Sequence, residues 1–303
     1  MKKSRYKKST KTADVFRTLW KITVLTIIVV YCVSIMIAPI WGLMTSFKPF
    51  DEYYLSAWKL PKKWVFSNYT YILKNISIDV NTPAGRVTYG LGDMLLTSLV
   101  WATGCALVGS FNITAQAYVF TKYKFVGRNA LMAIGMFLMI TPLFFSGGQS
   151  LLIMKRIRVY DNMLLVVLWG FVGGFYGMQF LIMCGGFKAI PWDFSEAAFL
   201  DGAGHFRVFF RIMLPMIMPT TMVFVILGFI SQWNDYGTFL TILPSYANLA
   251  FGMYYFQFEA ALNGATVPQI LAGFILVLIP SITMYIIAQK TVMKNYVVGG
   301  LKA

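Results

Sequence analysis

Six stretches of this chain are each long and apolar enough to cross a bilayer: Ile22–Phe47, Met94–Phe120, Asn129–Phe145, Asn162–Cys184, Met216–Asn234 and Val267–Gln289. A helix needs about 20 such residues to span the hydrocarbon. A bilayer satisfies no backbone polar group, so helices or a closed barrel are the options there. None of the six carries a charged side chain in its interior; Asp93, Arg128, Asp161, Asp235 and Lys290 stand just outside the ends. Charged residues are 12% of the chain and apolar residues 58%. The charged share is about half that of an ordinary soluble domain. The expectation is an all-α membrane protein of six transmembrane helices. The third stretch is the shortest.

Lys and Arg set the direction. Segments 1–21, 121–128, 185–215 and 290–303 hold 17 of the 26 basic residues. That excess places them inside, with an N-in/C-in topology. The reading divides the chain into a basic cytoplasmic tail (1–21), a six-span domain (22–292) and a cytoplasmic C-terminal tail (293–303). The first span is too long for the core of a cleaved signal peptide and reads as a signal anchor. The formal charge of +15 lies in tails and loops between apolar runs, so it implies no nucleic acid. One local conflict remains: Lys155, Arg156 and Arg158 fall in a short outer loop, against a partner or along the interface.

Several chemistries are excluded. There is one histidine, His205, so no site needing two histidines exists and no metal centre is expected. Three cysteines, Cys32, Cys105 and Cys184, read as small buried hydrophobes. No GxxxxGK[ST] phosphate loop is present, so the chain holds no nucleotide in that way. An ion-coupled secondary transporter, the alternative reading, would place Asp, Glu or His within the spans; here there are none. A membrane enzyme would need paired titratable groups. Its candidates, Asp193, Glu196 and Asp201, already suit capping and coupling.

The inner loop 185–215 is where chemistry-bearing residues gather. Pro191 blocks an earlier helix. Asp193 can cap one, with Glu196 reaching back three residues later. Phe194, Ala197 and Ala198 share one face, and Gly202 permits the left-handed turn that ends the helix. A second helix is expected from His205 to Leu214, with Phe206, Phe209, Phe210 and Met213 on one face and Arg207 and Arg211 on another. Pro215 then opens span five. A helix–Gly–helix elbow of this kind is stiff enough to transmit force.

Glu196-Ala197-Ala198, then Gly202, then Ile212-x-Leu214-Pro215 resembles the "EAA" loop of ABC importer permeases, and Asp201-Gly202-Ala203 is similar to its sugar-permease form. Three further segments fit. Phe145-Ser146-Gly147-Gly148 resembles the "SGG" of one carbohydrate-permease branch. Trp233-Asn234-Asp235-Tyr236 with Pro244 resembles the "WN-x-[FY]…P" at the outer end of span five, and Asn68-Tyr69 the family's "NY" segment. The Gly-containing tail Tyr296 to Ala303 is similar to the family's, and the whole is similar to the MalG-like half of oligosaccharide importers.

The resemblance implies the type I ABC importer permease fold in a bacterial cytoplasmic membrane and no enzymatic activity in this chain. It implies a second homologous permease, an ABC ATPase dimer that carries ATP and Mg, and an extracellular solute-binding protein. The chain itself takes no cofactor. Glu196, Ala197, Ala198, Asp201, Gly202, Ile212, Leu214 and Pro215 would couple to the ATPase. Ser231, Gln232 and Asn234 would face sugar hydroxyls, and Trp233 and Tyr236 would stack on a sugar ring or sit in the aromatic belt. The loop from Leu243 to Pro268, with Tyr246, Asn248, Tyr254, Gln257 and Asn263, would meet the binding protein or form a re-entrant turn. Gly170/Gly174 and Gly173/Gly177 repeat the GxxxG spacing of close helix packing.

Overall fold

The computed structural model describes residues 2–140, 146–172, 177–262 and 264–296. They are mostly helical. In chain order the elements are α1 (Lys2–Ser46), α2 (Phe50–Leu55), α3 (Ser67–Asn75), β1 (Ser77–Thr82), β2 (Gly85–Gly90), α4 (Leu91–Lys122), α5 (Arg128–Ile140), α6 (Ser146–Arg156) and α7 (Met163–Trp169). They continue with α8 (Met178–Ala189), α9 (Asp193–Leu200), α10 (His205–Val208), α11 (Leu214–Trp233), α12 (Gly237–Thr241), α13 (Leu249–Leu262) and α14 (Val267–Tyr296). A 3-10 turn follows α7 at Gly170–Val172, and a π turn, Phe209–Met213, joins α10 to α11.

Four helical stretches among the described residues are long and apolar enough to cross a membrane: Phe16–Ser46, Leu91–Lys122, His205–Trp233 and Val267–Ile287. Arg128–Met139 and Met163–Val172 are shorter. The fourth expected span therefore differs from the continuous helix its composition suggests. It tightens at Gly170, and α8 begins only after Gly177, whose φ is +107°. Glycine lowers helix propensity by about 1 kcal/mol per residue relative to alanine, so the residues that allow close packing also weaken the helix. Gly170 serves packing within the chain: it backs onto Val108 of α4, and its carbonyl accepts from the Asn112 side chain at 3.0 Å. Gly173, Gly174, Asn263 and the tail beyond Tyr296 lie outside the described residues.

The chain divides into two compact units, Met1–Lys74 with Gly264–Ile275, and Asn75–Asn263 with Leu276–Ala303. In the first, the end of α1 is clamped. Asn68 is buried and its amide donates to the carbonyls of Ser46 and Lys48 at 2.8 and 2.9 Å. Tyr69 hydrogen-bonds Ser46 at 2.7 Å and packs on Phe47, as do Trp64 and Phe66. The "NY" segment thus closes its own loop. Lys48 is buried, and its ammonium donates to the carbonyls of Ser56 and Ala57, which offset its desolvation.

In the second unit α4 is the central rod, flanked by α11, α8 and α7. Ala106 faces Gly228, Thr114 hydrogen-bonds Thr221 and Tyr118 packs on Phe209, so α4 and α11 run antiparallel. The all-helical expectation needs one correction: β1 and β2 form an antiparallel hairpin with Thr82 opposite Gly85. Ile78 and Val80 are buried while Ser77, Asp79 and Asn81 are exposed. That period-two alternation marks a half-buried strand. Pro83-Ala84 makes the turn, and Gly85 takes a φ of +124°.

Candidate functional site

The elbow forms at one end of α4. Helix α9 begins at Asp193, so Asp193 is its first residue and not its cap. Trp192 holds the cap position without a side-chain bond, and the expected capping box is absent. Asp193 and Glu196 instead lie in the first turn, where carboxylates suit the positive end of the helix dipole. The far end matches its sequence. Gly202 sits at φ +78°; its N–H donates to Phe199 at 3.0 Å, and the Ala203 N–H donates to Ala198 at 2.9 Å. That bond pair is a Schellman motif.

The faces differ from the expected ones. Ser195 and Ala198 are buried, while Phe194, Glu196 and Ala197 are exposed. The second stretch is no separate helix: it runs without interruption into α11 through the π turn, where the Leu214 N–H donates to Phe209. The wider turn precedes Pro215, which cannot donate an intrahelical bond of its own, and it shifts the inward register. Val208, Phe209, Met213 and Ile217 are buried, Ile212 and Leu214 pack against them from the edge, and Phe206 and Phe210 are exposed. The elbow therefore exposes apolar side chains, Phe194 at 49%, Leu200 at 89% and Phe206 at 82%, together with the Glu196 carboxylate.

Aromatic groups fix this elbow to α4. The Tyr123 hydroxyl hydrogen-bonds His205 Nδ1 at 2.9 Å and the Tyr118 hydroxyl at 3.1 Å. Trp192 packs edge-on to Tyr123, Phe199 packs on both Trp192 and His205, and Tyr118 packs on Phe187 and Phe209. The Lys122 ammonium donates to the Ile190 carbonyl. Of these residues, His205 and Phe209 stood out in the sequence, and Tyr118, Lys122, Tyr123 and Phe187 did not. The concentration of aromatics beside the one histidine was the available signal.

At the opposite end of α4 the pathway candidates divide. Trp233 is 1% exposed, and its indole N–H donates to the Val277 carbonyl at 3.1 Å. Its ring is core, stacked on Phe229, and is no free face for a sugar. Asn248 is 0% exposed; its amide donates to the Asp235 carbonyl and its oxygen accepts from Phe251 N–H, so it caps α13. Ser231 and Asn234 are exposed and Gln232 is half-buried. Asn234 donates back to Ile230 at 2.8 Å. Tyr236 and Tyr254 come together, their rings stacked at 4.5 Å and 12°. Phe258 meets Tyr254 edge-on at 5.0 Å, and Tyr246 and Gln257 are half-buried.

The loop that follows α6 docks here too. Asp161 accepts from the Ser245 N–H at 3.0 Å and from its hydroxyl at 2.6 Å. The Ser245 hydroxyl also donates to Asn81 of the hairpin, and the Tyr89 hydroxyl reaches the Ser245 carbonyl. Partial burial, with Tyr246, Asp93 and Asp161 nearby, pushes the Tyr89 phenol above its usual pKa.

Comparison with known proteins gives this geometry a family. The chain is 30% identical over 192 residues to the galactooligosaccharides transport system permease protein GanQ of Bacillus subtilis, covering 63% of this chain and 67% of that one. It is 29% identical to the diacetylchitobiose uptake system permease protein NgcG of Streptomyces coelicolor, covering 69% of this chain and 65% of that one. It is 27% identical to the maltodextrin transport system permease protein MalD of Streptococcus pneumoniae, covering 75% and 81%. The fold matches a chain of a bacterial ABC transporter involved in the import of the acidic polysaccharide alginate, with a TM-score of 0.70 at 19% identity over 90% of this chain and 96% of that one. Residues 112–293, from the middle of α4 almost to the end of α14, match the family described as binding-protein-dependent transport system inner membrane component, and the chain belongs to that family.

Proposed function

We propose that this protein is the permease subunit of an ATP-binding-cassette importer for an oligosaccharide, forming half of a pathway completed by a second permease. A separate ATPase pair, carrying ATP and Mg, grips the elbow, and a solute-binding protein delivers cargo from outside. The six-span, N-in/C-in arrangement belongs to this reading, with spans three and four completed by segments around α5 and α7–α8. The oligosaccharide relatives favour it over an ion-coupled transporter.

The observation that carries the reading is the elbow. Phe194 and Leu200 of α9 and Phe206 of α10 are exposed, as are the carboxylates Asp193, Glu196 and Asp201, and a left-handed glycine locks the C-terminal end of α9. An exposed apolar patch of this kind marks a docking surface. Closure of the ATPase pair would pull α9, and the aromatic network from Trp192 to Tyr118 would carry the pull into α4 and α11. That is alternating access between two packings biased by nucleotide and loaded binding protein. Tyr236 and Tyr254 are the pathway aromatics best placed to meet a sugar ring.

Charge reversal at Glu196 tests the docking role. Glu196→Lys is expected to insert normally and to co-purify less ATPase. Undiminished ATPase on the purified variant contradicts it.

A further inference from the structure

The last turn of α6 and the loop that follows it carry Lys155, Arg156 and Arg158 within four residues, all exposed. Among the described residues the one ion pair is Arg86 with Asp79 at 2.8 Å, so none of these three cations has a carboxylate partner there. Asp161, the acid nearest in sequence, is consumed by Ser245.

The backbone beneath them is fixed. Arg158 and Asp161, at φ +60° and +57°, are the non-glycine residues with positive φ among those described. Each left-handed residue of this kind costs about 1–2 kcal/mol, and such strain persists only where the surroundings enforce it. Here they do. The Met154 carbonyl accepts from both Val159 and Tyr160 N–H, the Asp161 N–H donates to Ile242, and Lys155 lies over the Tyr160 ring at 4.6 Å. The turn is pinned to Ile242 and Ser245 and, through Ser245, to the hairpin.

We propose that this pinned turn is an electrostatic docking element for an acidic face of the extracellular solute-binding protein. The inference rests on the importer reading, which places residues 146–161 outside. A basic cluster there runs against the usual excess of cations inside. A membrane surface is the weaker occupant, because fluid headgroups need no preorganised backbone. A protein partner gains from it, since ordering costs are already met. Rim charges of this sort govern association rate and its salt dependence.

The test uses the complete transporter in nanodiscs of purely zwitterionic lipid and of lipid containing phosphatidylglycerol. The wild type is compared with K155E/R156E/R158E and with a variant carrying R156K/R158K. Binding-protein affinity is measured at low and high salt, along with basal ATPase rate. The reversal variant is expected to bind about tenfold or more weakly at low salt, with the gap narrowing at high salt and the basal rate unchanged. The lysine variant should bind like wild type. Equal affinity and equal salt slope for the reversal variant overturn the proposal. A defect confined to phosphatidylglycerol discs also overturns it, in favour of a lipid contact. Failure of the wild type to respond to any binding protein, or labelling of Arg158→Cys only from the cytoplasm, overturns the importer reading itself and the proposal with it.

Discussion

The hydroxyl of Tyr123, at the end of α4, lies 2.9 Å from Nδ1 of His205, at the start of the helix that becomes α11. This bond ties the two longest helices of the second unit together beside the elbow. A mechanical link between them therefore does not depend on apolar contact alone. A side-chain hydrogen bond contributes about 1 kcal/mol. Tyr123→Phe and His205→Ala should each lower stability by roughly that amount. Combined, they should cost less than their sum, because partners in one bond are not additive. Thermal unfolding of the four proteins checks this; strict additivity would show that the two residues act independently.

Gly202 is left-handed with open space where a Cβ would point, so substitution strains the backbone without a clash. Gly202→Ala should cost about 1–2 kcal/mol at the elbow, and Gly202→Asn less. Gly202→Asp should insert normally yet separate ATP hydrolysis from uptake. Parallel assays of ATPase rate and uptake in vesicles measure this. Normal uptake by the Asp variant would remove the coupling role.

The two aromatic neighbours Trp233 and Tyr236 should behave in opposite ways. Trp233→Ala removes a buried ring and should destabilise the protein by about 3–5 kcal/mol. Tyr236→Ala should leave the melting temperature nearly unchanged and lower uptake severalfold. Melting curves and uptake rates distinguish them. A stable Trp233→Ala protein with an uptake defect would return Trp233 to the pathway.

Acid should loosen the hairpin. The Thr88 hydroxyl donates to Asp79, and with Arg86 alongside holds its carboxyl below the ordinary value of 3.8 against some opposing desolvation. A depressed carboxylate stabilises the fold above its unfolded pKa and loses that contribution as pH falls through the folded one. Amide protection over 77–90 should therefore hold at neutral pH and decline below about pH 4. Asp79→Asn should flatten the decline; an identical acid profile in that variant would exclude Asp79 as its source.

Local chemistry and burial were not equally legible in the sequence. Gly202 was readable because its need is local: a helix must end there, and glycine accepts the turn. The long apolar runs were readable because a bilayer demands length. Orientation within a helix was not. Ser231 and Trp233 stand on one apolar run with Tyr236 just beyond it, and only the packing of Val277 and Phe229 decides which of them is core. The same limit applies to Phe206, which a regular helical period places beside the buried Phe209 and which is nonetheless exposed. The hairpin was not among the expectations, although Ile78 and Val80 alternate with Ser77, Asp79 and Asn81. Tyr123 and His205 are 82 residues apart in the chain, and no spacing rule joins them.

The central claim, that the exposed elbow is the handle of a separate ATPase, is tested most directly by cross-linking. Ala197→Cys places a thiol on the exposed face of α9 beside Glu196. In the assembled transporter it should cross-link to the ATPase subunit with a yield that changes when ATP is added. Free labelling by a membrane-impermeant reagent from outside, with no ATPase adduct in either nucleotide state, would contradict the account.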